Sequence, residues 1–355
     1  MPPVDAFLLV SFGGPEGPGD VIPFLQNVTR GRGIPVERLQ HVAAHYDLFG
    51  GVSPINQQCR DLIAAVEQDF AASGITLPVY WGNRNWDPYL ADTVAAMARD
   101  GVRRALAFVT SAYSSYSSCR QYRDDIAGAQ AQAGPGAPVI DKIRLYYNHP
   151  GFIGPLAAST RRAVDSLPAG VRDRAQLVFT AHSIPAAMAE ASGPDGGAYP
   201  AQLAEASRLV AGQAGGGPGG GPRRWQLAYQ SRSGPPSQPW LGPDVNDCLT
   251  GLARGGAAAV VLVPVGFVSD HMEVRFDLDI EAAQTAAALG LPMARAATPG
   301  TDPAFVSMIT ELVQERLAAV PPAALGVRGP SLNTCGNGCC GARAVATAGR
   351  TGAGR

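Results

Sequence analysis

The sequence predicts an α/β protein of two similar domains, each built on a four-stranded parallel sheet, with an irregular carboxy-terminal tail. Three observations carry this expectation. Eight short apolar runs rich in β-branched residues fall into two sets of four, Ala-rich helix-like stretches separate them, and amphipathic periodicity stops after Ala319. Strands alternating with helices argue for parallel sheets. A four-plus-four repeat argues for two domains with a cleft between them.

Along the chain, the first set of strand candidates is Phe7–Phe12, Val79–Asn83, Leu106–Ala112 and Ile143–Tyr147. The second set is Leu177–His182, Trp225–Gln230, Val260–Val265 and Met293–Ala296. Helix-like stretches lie at Leu62–Phe70, Leu90–Ala98, Pro155–Ser166, Ala201–Ala211 and Phe305–Ala318. The expected division is residues 1–160 and 161–319, joined near Gly151 to Pro168, with 320–355 as the tail. Gly215-Gly-Gly-Pro-Gly-Gly-Gly-Pro222 reads as a surface insertion, because no helix follows its glycines to make a phosphate cradle.

Composition excludes several function classes. With 46% hydrophobic and 16% charged residues, the 355-residue chain reads as globular, and its net charge of -1 gives no electrostatic case for nucleic acid or an anionic membrane. No apolar run reaches the roughly 18 residues a membrane span requires, and the Met-Pro-Pro start followed by Asp5 is no signal peptide. A cytoplasmic monomer is the expectation. Lys142 is the only lysine beside 27 arginines, so no Gly-x-x-x-x-Gly-Lys-Ser/Thr loop exists and P-loop ATP hydrolysis is out.

The chemistry concentrates between Val260 and Glu281. The apolar run Val260–Val265 reads as a buried strand. It breaks at Gly266 and leads into Asp270, His271, Glu273, Asp277, Asp279 and Glu281. On a helix, Glu273, Asp277 and Glu281 recur every four residues and share one face. A solvated acidic face is the ordinary reading of such a row. Its start at the carboxyl end of a buried strand, where α/β proteins hold ligands, favours holding a cation or moving protons. Gln176 to Pro185 is a second apolar strand that delivers His182 to its own carboxyl end. A lone histidine there is more often structural. Facing a row of carboxylates, a neutral imidazole suits metal handling or proton removal from a weakly acidic substrate.

At this point the chain resembles a family. Thr180-Ala-His-Ser-Ile-Pro185, Gln230-Ser-Arg-Ser-Gly234, Pro239-Trp-Leu-Gly-Pro-Asp-Val245 and Pro264-Val-Gly-Phe-Val-Ser-Asp-His-Met-Glu273 are similar, in that order, to motifs of ferrochelatases. Phe12-Gly-Gly-Pro15, Gly50-Gly-Val-Ser-Pro54 and Tyr113-Ser-Ser-Tyr116 extend the resemblance, which covers residues 5 to 318. It implies a chelatase fold of two Rossmann-like halves and insertion of ferrous iron, the second substrate, into a porphyrin. It further implies that His182, as proton acceptor, and Glu273, as metal ligand or proton relay, face each other across the macrocycle. Asp277 and Glu281 are expected to form a hydrated conduit behind Glu273, with His271 supporting it. Ser53 and Tyr122 look like porphyrin-contacting positions. Phe12, Tyr113, Tyr116, Tyr122 and Trp240 are candidate walls, each equally readable as an ordinary core aromatic. Phe12 stands where some relatives carry Tyr, so no axial tyrosinate is available there.

The amino-terminal motif looks like the Gram-positive bacterial branch, whose members metalate coproporphyrin III to give coproheme. Its four carboxylates call for donors, and Arg30, Arg32, His45, Ser53 and Arg120 lie in motifs near the expected mouth. Protoporphyrin IX is the alternative substrate. A cobalt or nickel chelatase and a non-enzymatic tetrapyrrole-binding protein are the competing readings.

The tail carries a second signal. Of six cysteines, Cys59 and Cys248 sit in apolar helix-like settings, as small hydrophobes do. Thr334-Cys-Gly-Asn-Gly-Cys-Cys-Gly341 instead packs Cys335, Cys339 and Cys340 between glycines. Metal ligation, a zinc site or an iron–sulfur cluster, and a flexible thiol tail are the readings the residues leave open. Cys119 is the best fourth ligand. Some ferrochelatases carry a [2Fe–2S] cluster on one internal and three carboxy-terminal cysteines, and the pattern Cys119, Cys335, Cys339, Cys340 is similar, although its Cys-x3-Cys-Cys spacing is tighter.

Overall fold

The structure is a computed structural model and describes residues 3–31, 33–216, 221–235 and 237–341. The expected insertion at 215–222 and the end of the tail lie partly outside these residues, and Arg32 lies outside them altogether.

Eight strands form two sheets. β1 (Ala6–Ser11), β2 (Val79–Asn83), β3 (Arg104–Val109) and β4 (Val139–Lys142) pair in the order β2-β1-β3-β4. β5 (Gln176–His182), β6 (Trp225–Gln230), β7 (Val260–Val263) and β8 (Met293–Arg295) repeat it as β6-β5-β7-β8. Every pairing is parallel. Both faces must therefore be covered, and strands such as β1, buried at all six positions, read as continuous apolar runs rather than alternating ones.

Thirteen α-helical segments surround the described sheets: α1 (Pro18–Val28), α2 (Val36–Asp47), α3 (Ile55–Ala72), α4 (Leu90–Arg99), α5 (Gln121–Ala133), α6 (Pro150–Ser166), α7 (Ala169–Arg172), α8 (Ala186–Glu190), α9 (Ala198–Ala214), α10 (Val245–Arg254), α11 (Met272–Val274), α12 (Ala283–Ala288) and α13 (Pro303–Leu317). None is long and apolar enough to cross a membrane among the described residues. α1 and α2 escape the sequence pattern because Pro23 interrupts the first and polar residues dominate the second.

One expected strand is corrected. The fourth ladder is Val139–Lys142, not Ile143–Tyr147. Residues 143–147 are buried because Tyr146 stacks on Phe108 at 4.9 Å and donates to the Val109 carbonyl, so their apolar character reflects aromatic packing rather than pairing.

One core cluster joins the sheets through Phe7, Phe108, Phe152, Phe179 and Phe305. α6 runs through residue 160 and packs on α9, α13, β7 and β8, while α13 packs on α3 as well. Burial thus fixes the two halves against each other and aligns the carboxyl ends of β5 and β7. There the chain leaving β7 crosses β5 closely: the Gly266 amide donates to the Thr180 carbonyl at 3.0 Å. A Cβ on Gly266 would lie 2.6 Å from the Ala181 Cβ. Overpacking of this kind costs roughly 1–3 kcal/mol. Gly266→Ala should lower unfolding stability by about that amount in urea titration, and a variant as stable as the parent would show that the crossing is not tight.

Candidate active site

β5 ends on His182, and four hydrogen bonds pin the residues around it. The Ser183 amide donates to Gln230 O at the end of β6, Leu241 N donates to Ile184 O, Ser183 Oγ donates to Leu241 O, and the Tyr199 hydroxyl donates to His182 O. The imidazole Nδ1 lies 2.5 Å from the Ser183 carbonyl oxygen. A carbonyl only accepts, so Nδ1 carries the proton and Nε2 presents its lone pair to the cleft.

Facing that lone pair is Glu273, with Oε2 3.5 Å from Nε2; the two side chains are 53% (Glu273) and 35% (His182) exposed. At neutral imidazole and ionised carboxylate this is a pair of acceptors with nothing to share. It suits whatever brings positive charge or N–H protons between them.

Glu273 does not sit on a regular α-helix. α11 passes into a π-helix over Arg275–Ala282 before α12 begins, a local widening often found at functional positions. The structure sorts the acidic residues of this segment into two sets. Asp270 and Asp279 both pair with Arg295, at 3.1 and 2.5 Å, and Thr298 Oγ1 adds a bond to Asp270. Glu273, Asp277 and Glu281 make no ion pair with a lysine or arginine among the described residues.

Asp277 accepts from Ser231 Oγ and from Gln230 Nε2, which also donates to Glu273 O at 3.3 Å. Burial, assisted by the Glu273 and Glu281 charges, raises its pKa to about 7 against these hydrogen bonds. Glu281 is raised by burial and then by Asp244, the side chain that caps α10, so the acidic row continues to Asp244. His271 caps the start of α11 and lies edge-on to Phe267; burial lowers its pKa, with His182 pushing the same way and Glu273 the other. Gln230, Ser231 and Asp244 had no assigned role in the sequence, although their place at the end of β6, beside His182, is a usable signal.

The other side of the cleft comes from the first half. α1 and α2 lean on the helix that carries Glu273: Met272 packs with Val21, Phe24, Leu25, Leu39 and Tyr46. His45 stacks on Phe276 at 3.7 Å, and Arg275 lies over Phe49 at 5.1 Å. Tyr122 is 4% exposed beneath the Arg84 guanidinium, which also lies over Phe12 and pairs with Asp125. Ser53 is buried, with its amide donating to Pro15 O. Tyr116 is half-buried, and the Trp240 indole lies over Gly234. Tyr113 is a correction to the expected walls: it is 2% exposed and its hydroxyl is spent on Val265 O, so it ties the halves together inside the core. Arg30 is exposed without an ion pair among the described residues, whereas Arg120 turns away to Asp124 and the tail. A cavity of about 340 Å³, lined by Pro155, Ser159, Arg162 and residues 298–302, shares no lining residue with the His182–Glu273 pair.

The tail brings its thiols to Cys119, which sits in a second π-helix, Tyr116–Arg120. Cys339 Sγ and Cys340 Sγ are 3.8 Å apart, the edge expected of two thiolates about 2.3 Å from one tetrahedral metal. Burial first, then crowding by Cys339 and Cys119, pushes Cys335 up to about 11 while Lys142 pulls it down; Cys339 and Cys340 are raised as well. Among the described residues no group of three or more His, Cys, Asp or Glu side chains is arranged to hold a metal ion. The donor chemistry still suits a thiolate-bound metal group: Cys339 and Cys340 lie side by side, and Arg120 and Arg123, just past Cys119 in the chain, donate to the carbonyls of Asn337 and Cys335. Cys59 and Cys248 are buried on α3 and α10, away from the tail.

The chain is similar to known proteins along most of its length. The family model described as ferrochelatase matches residues 4–317. A coproporphyrin III ferrochelatase of Streptomyces coelicolor is 55% identical, over 96% of this chain and 94% of its own length. That of Nocardia farcinica is 54% identical over 98% and 99%, and a ferrochelatase of Rhodopirellula baltica 53% identical over 96% and 94%. Among solved structures, the sirohydrochlorin chelatase SirB of Bacillus subtilis subspecies spizizenii with cobalt superposes with a TM-score of 0.50 at 12% identity, covering 87% of this chain and 94% of that one. That likeness concerns the fold alone.

The raised Asp277 carboxyl makes stability depend on pH. Between about pH 4, the ordinary carboxyl value, and pH 7, the folded protein holds a proton that the unfolded chain has released. Stability therefore falls as pH rises through that window. Asp277→Asn cannot ionise. In metal-free melts its melting temperature should gain on the parent's from pH 5 to pH 8, and a difference independent of pH would contradict the shift.

Proposed function

The chain belongs to the ferrochelatase family, and we propose that it inserts ferrous iron into coproporphyrin III to give coproheme. The observation that carries the residue roles is the facing pair of acceptors, His182 Nε2 and Glu273 Oε2. Metalation removes two pyrrole protons and delivers one divalent ion. His182 takes protons at Nε2, and the Ser183 carbonyl on Nδ1 steadies the imidazolium that results. Glu273 receives the iron. Asp277 and Glu281 pass it along a hydrated row from the Asp244 end, since carboxylates with water bind and release divalent ions readily.

A flat ring needs about 3.5 Å of clearance on each face, more than the present gap between His182 and Glu273. Ring entry therefore displaces the half-exposed Glu273 side chain and loosens the contact of α1 and α2 on its helix. The two sheet-bearing halves share one core and stay fixed as domains, so the ring is admitted by movement of α1, α2 and the Glu273 side chain.

Coproporphyrin, rather than protoporphyrin IX, is the substrate that the names of the relatives support. Its additional carboxylates need donors, since unpaired buried charge is costly. Arg30 is exposed and free to serve, Ser53 is buried in the present structure, and Arg120 is committed to the tail. Cys119, Cys335, Cys339 and Cys340 would hold a [2Fe–2S] cluster in this reading, supported by the Cys339–Cys340 contact and by the bonds that fasten the Cys335–Asn337 backbone to Arg120 and Arg123 beside Cys119. When bound, it supplies a covalent tie between tail and body and a one-electron couple.

Three outcomes test the proposal. Anaerobic metalation followed by absorbance should give a higher kcat/KM for coproporphyrin III than for protoporphyrin IX; the reverse order would overturn the substrate while leaving the reaction. His182→Ala and Glu273→Ala should each lose about 100-fold or more in turnover with the fold intact, the scale of a lost proton acceptor; full activity in His182→Ala would sink its role. Freshly purified protein should be red-brown with two irons and two sulfides per chain. Serine at any of the four cysteines should bleach it, and Cys59→Ser or Cys248→Ser should not; zinc in place of iron would contradict the cluster.

A further inference from the structure

Residues 320–341 contain no helix or strand, yet they are fastened along their length. Arg144, 2% exposed, is gripped twice by Glu315 at 2.8 Å and donates to Ala323 O. Asn148 accepts from Leu325 N and donates to the carbonyls of Leu325 and Gly329. The third fastening is the tightest in design. Glu205 on α9, 6% exposed, accepts the amides of Val327 at 2.9 Å and Arg328 at 3.3 Å on one oxygen, and pairs with the Arg328 guanidinium at 3.1 Å on the other. Gly326 turns there with φ +76°, and a side chain at that position would run into the carboxylate.

Beyond this latch the segment crosses the seam between the halves. Arg123 donates to Cys335 O and Arg120 to Asn337 O, both from the β1–β4 half, which also contributes Cys119. Cys340 Sγ then accepts the amide of Gly193, in the β5–β8 half, at 3.1 Å. The same seam is bridged by Ser117 Oγ to Met188 Sδ on α8, and by Ser114 with Gln202 on α9. α8 follows directly on His182-Ser-Ile-Pro185, and the π-helix holding Cys119 leads into α5 and Tyr122.

We propose that this segment is an interdomain clasp. The Glu205 latch docks it before any metal arrives and so presents Cys335, Cys339 and Cys340 to Cys119; loading the thiol site would then lock the Tyr116–Tyr122 segment to α8 behind His182. Charge-assisted bonds to a buried carboxylate are among the stronger polar contacts, and holding the ligands in place beforehand removes the ordering cost from metal binding. The locking step rests on the cluster reading given above. The latch does not.

The test uses the full chain, with Glu205→Gln acting from α9 and Gly326→Ala acting from the clasp itself, each checked for native circular dichroism. In metal-stripped protein, maleimide labelling of Cys340 followed by mass spectrometry should run at least about ten times faster in both variants than in the parent, through local opening, with Cys59 and Cys248 as unchanged internal references. In loaded protein, loss of the visible cluster absorbance in the presence of an iron chelator should accelerate by a similar factor. Labelling at the parent's rate in both folded variants would overturn the clasp. A parent without iron and sulfide would overturn the cluster and the locking step, and the labelling rates would still decide the latch.

Discussion

His182 gives its Nδ1 proton to the carbonyl of the residue that follows it, and that bond sets the chemistry of the cleft. It leaves a lone pair on Nε2 directed at a carboxylate. Two acceptors in contact are a poor resting arrangement and a good receptor for a substrate that brings two N–H protons and for a cation that replaces them. The histidine's orientation is held by backbone rather than by titrating neighbours: Ser183 is tied to β6 and to Leu241, and Tyr199 clamps the His182 carbonyl.

The pair forms because two buried strands end side by side. Gly266 carries the chain across Ala181 at a separation that no larger residue permits, and the π-helix that follows turns Glu273, Asp277 and Glu281 to one side. Arg295 draws off Asp270 and Asp279. What remains is an uncompensated acidic line whose middle member, buried and flanked by like charge, stays partly protonated near neutrality. In the proposed function, a divalent ion arriving at such a site would displace its protons, and Asp277 would then join the iron path to the proton path.

Much of this was legible in the residues because parallel strands covered on both faces are continuous apolar runs, and seven of eight fell where such runs lie. The position of His182 on the end of one such run, and of Glu273 in the segment that leaves another, was legible in the same way; the roles given to them came from the resemblance. Local pattern was blind to long-range partners. Residues 143–147 are buried through aromatic packing, and Tyr113 is buried with its hydroxyl satisfied by Val265 O, so neither role could be told from composition. Nor does any short-range signal distinguish Asp270 from Asp277 without Arg295 in place. The tail illustrates this most sharply: lacking periodicity, it read only as an irregular tail, whereas Glu205, Asn148 and Arg144 hold it through backbone groups that leave no mark in side-chain pattern.

The structure holds the cleft closed. His45 on Phe276 and Met272 among the α1–α2 side chains cover the place where a macrocycle must enter. Catalysis as proposed demands that this cover yield and that the acceptor pair part. The most direct measurement is a crystal structure with free-base coproporphyrin III bound and iron absent. The account predicts the ring lying between His182 and Glu273, one on each face, with their present 3.5 Å separation roughly doubled. A ring bound elsewhere, with that contact intact, would contradict it.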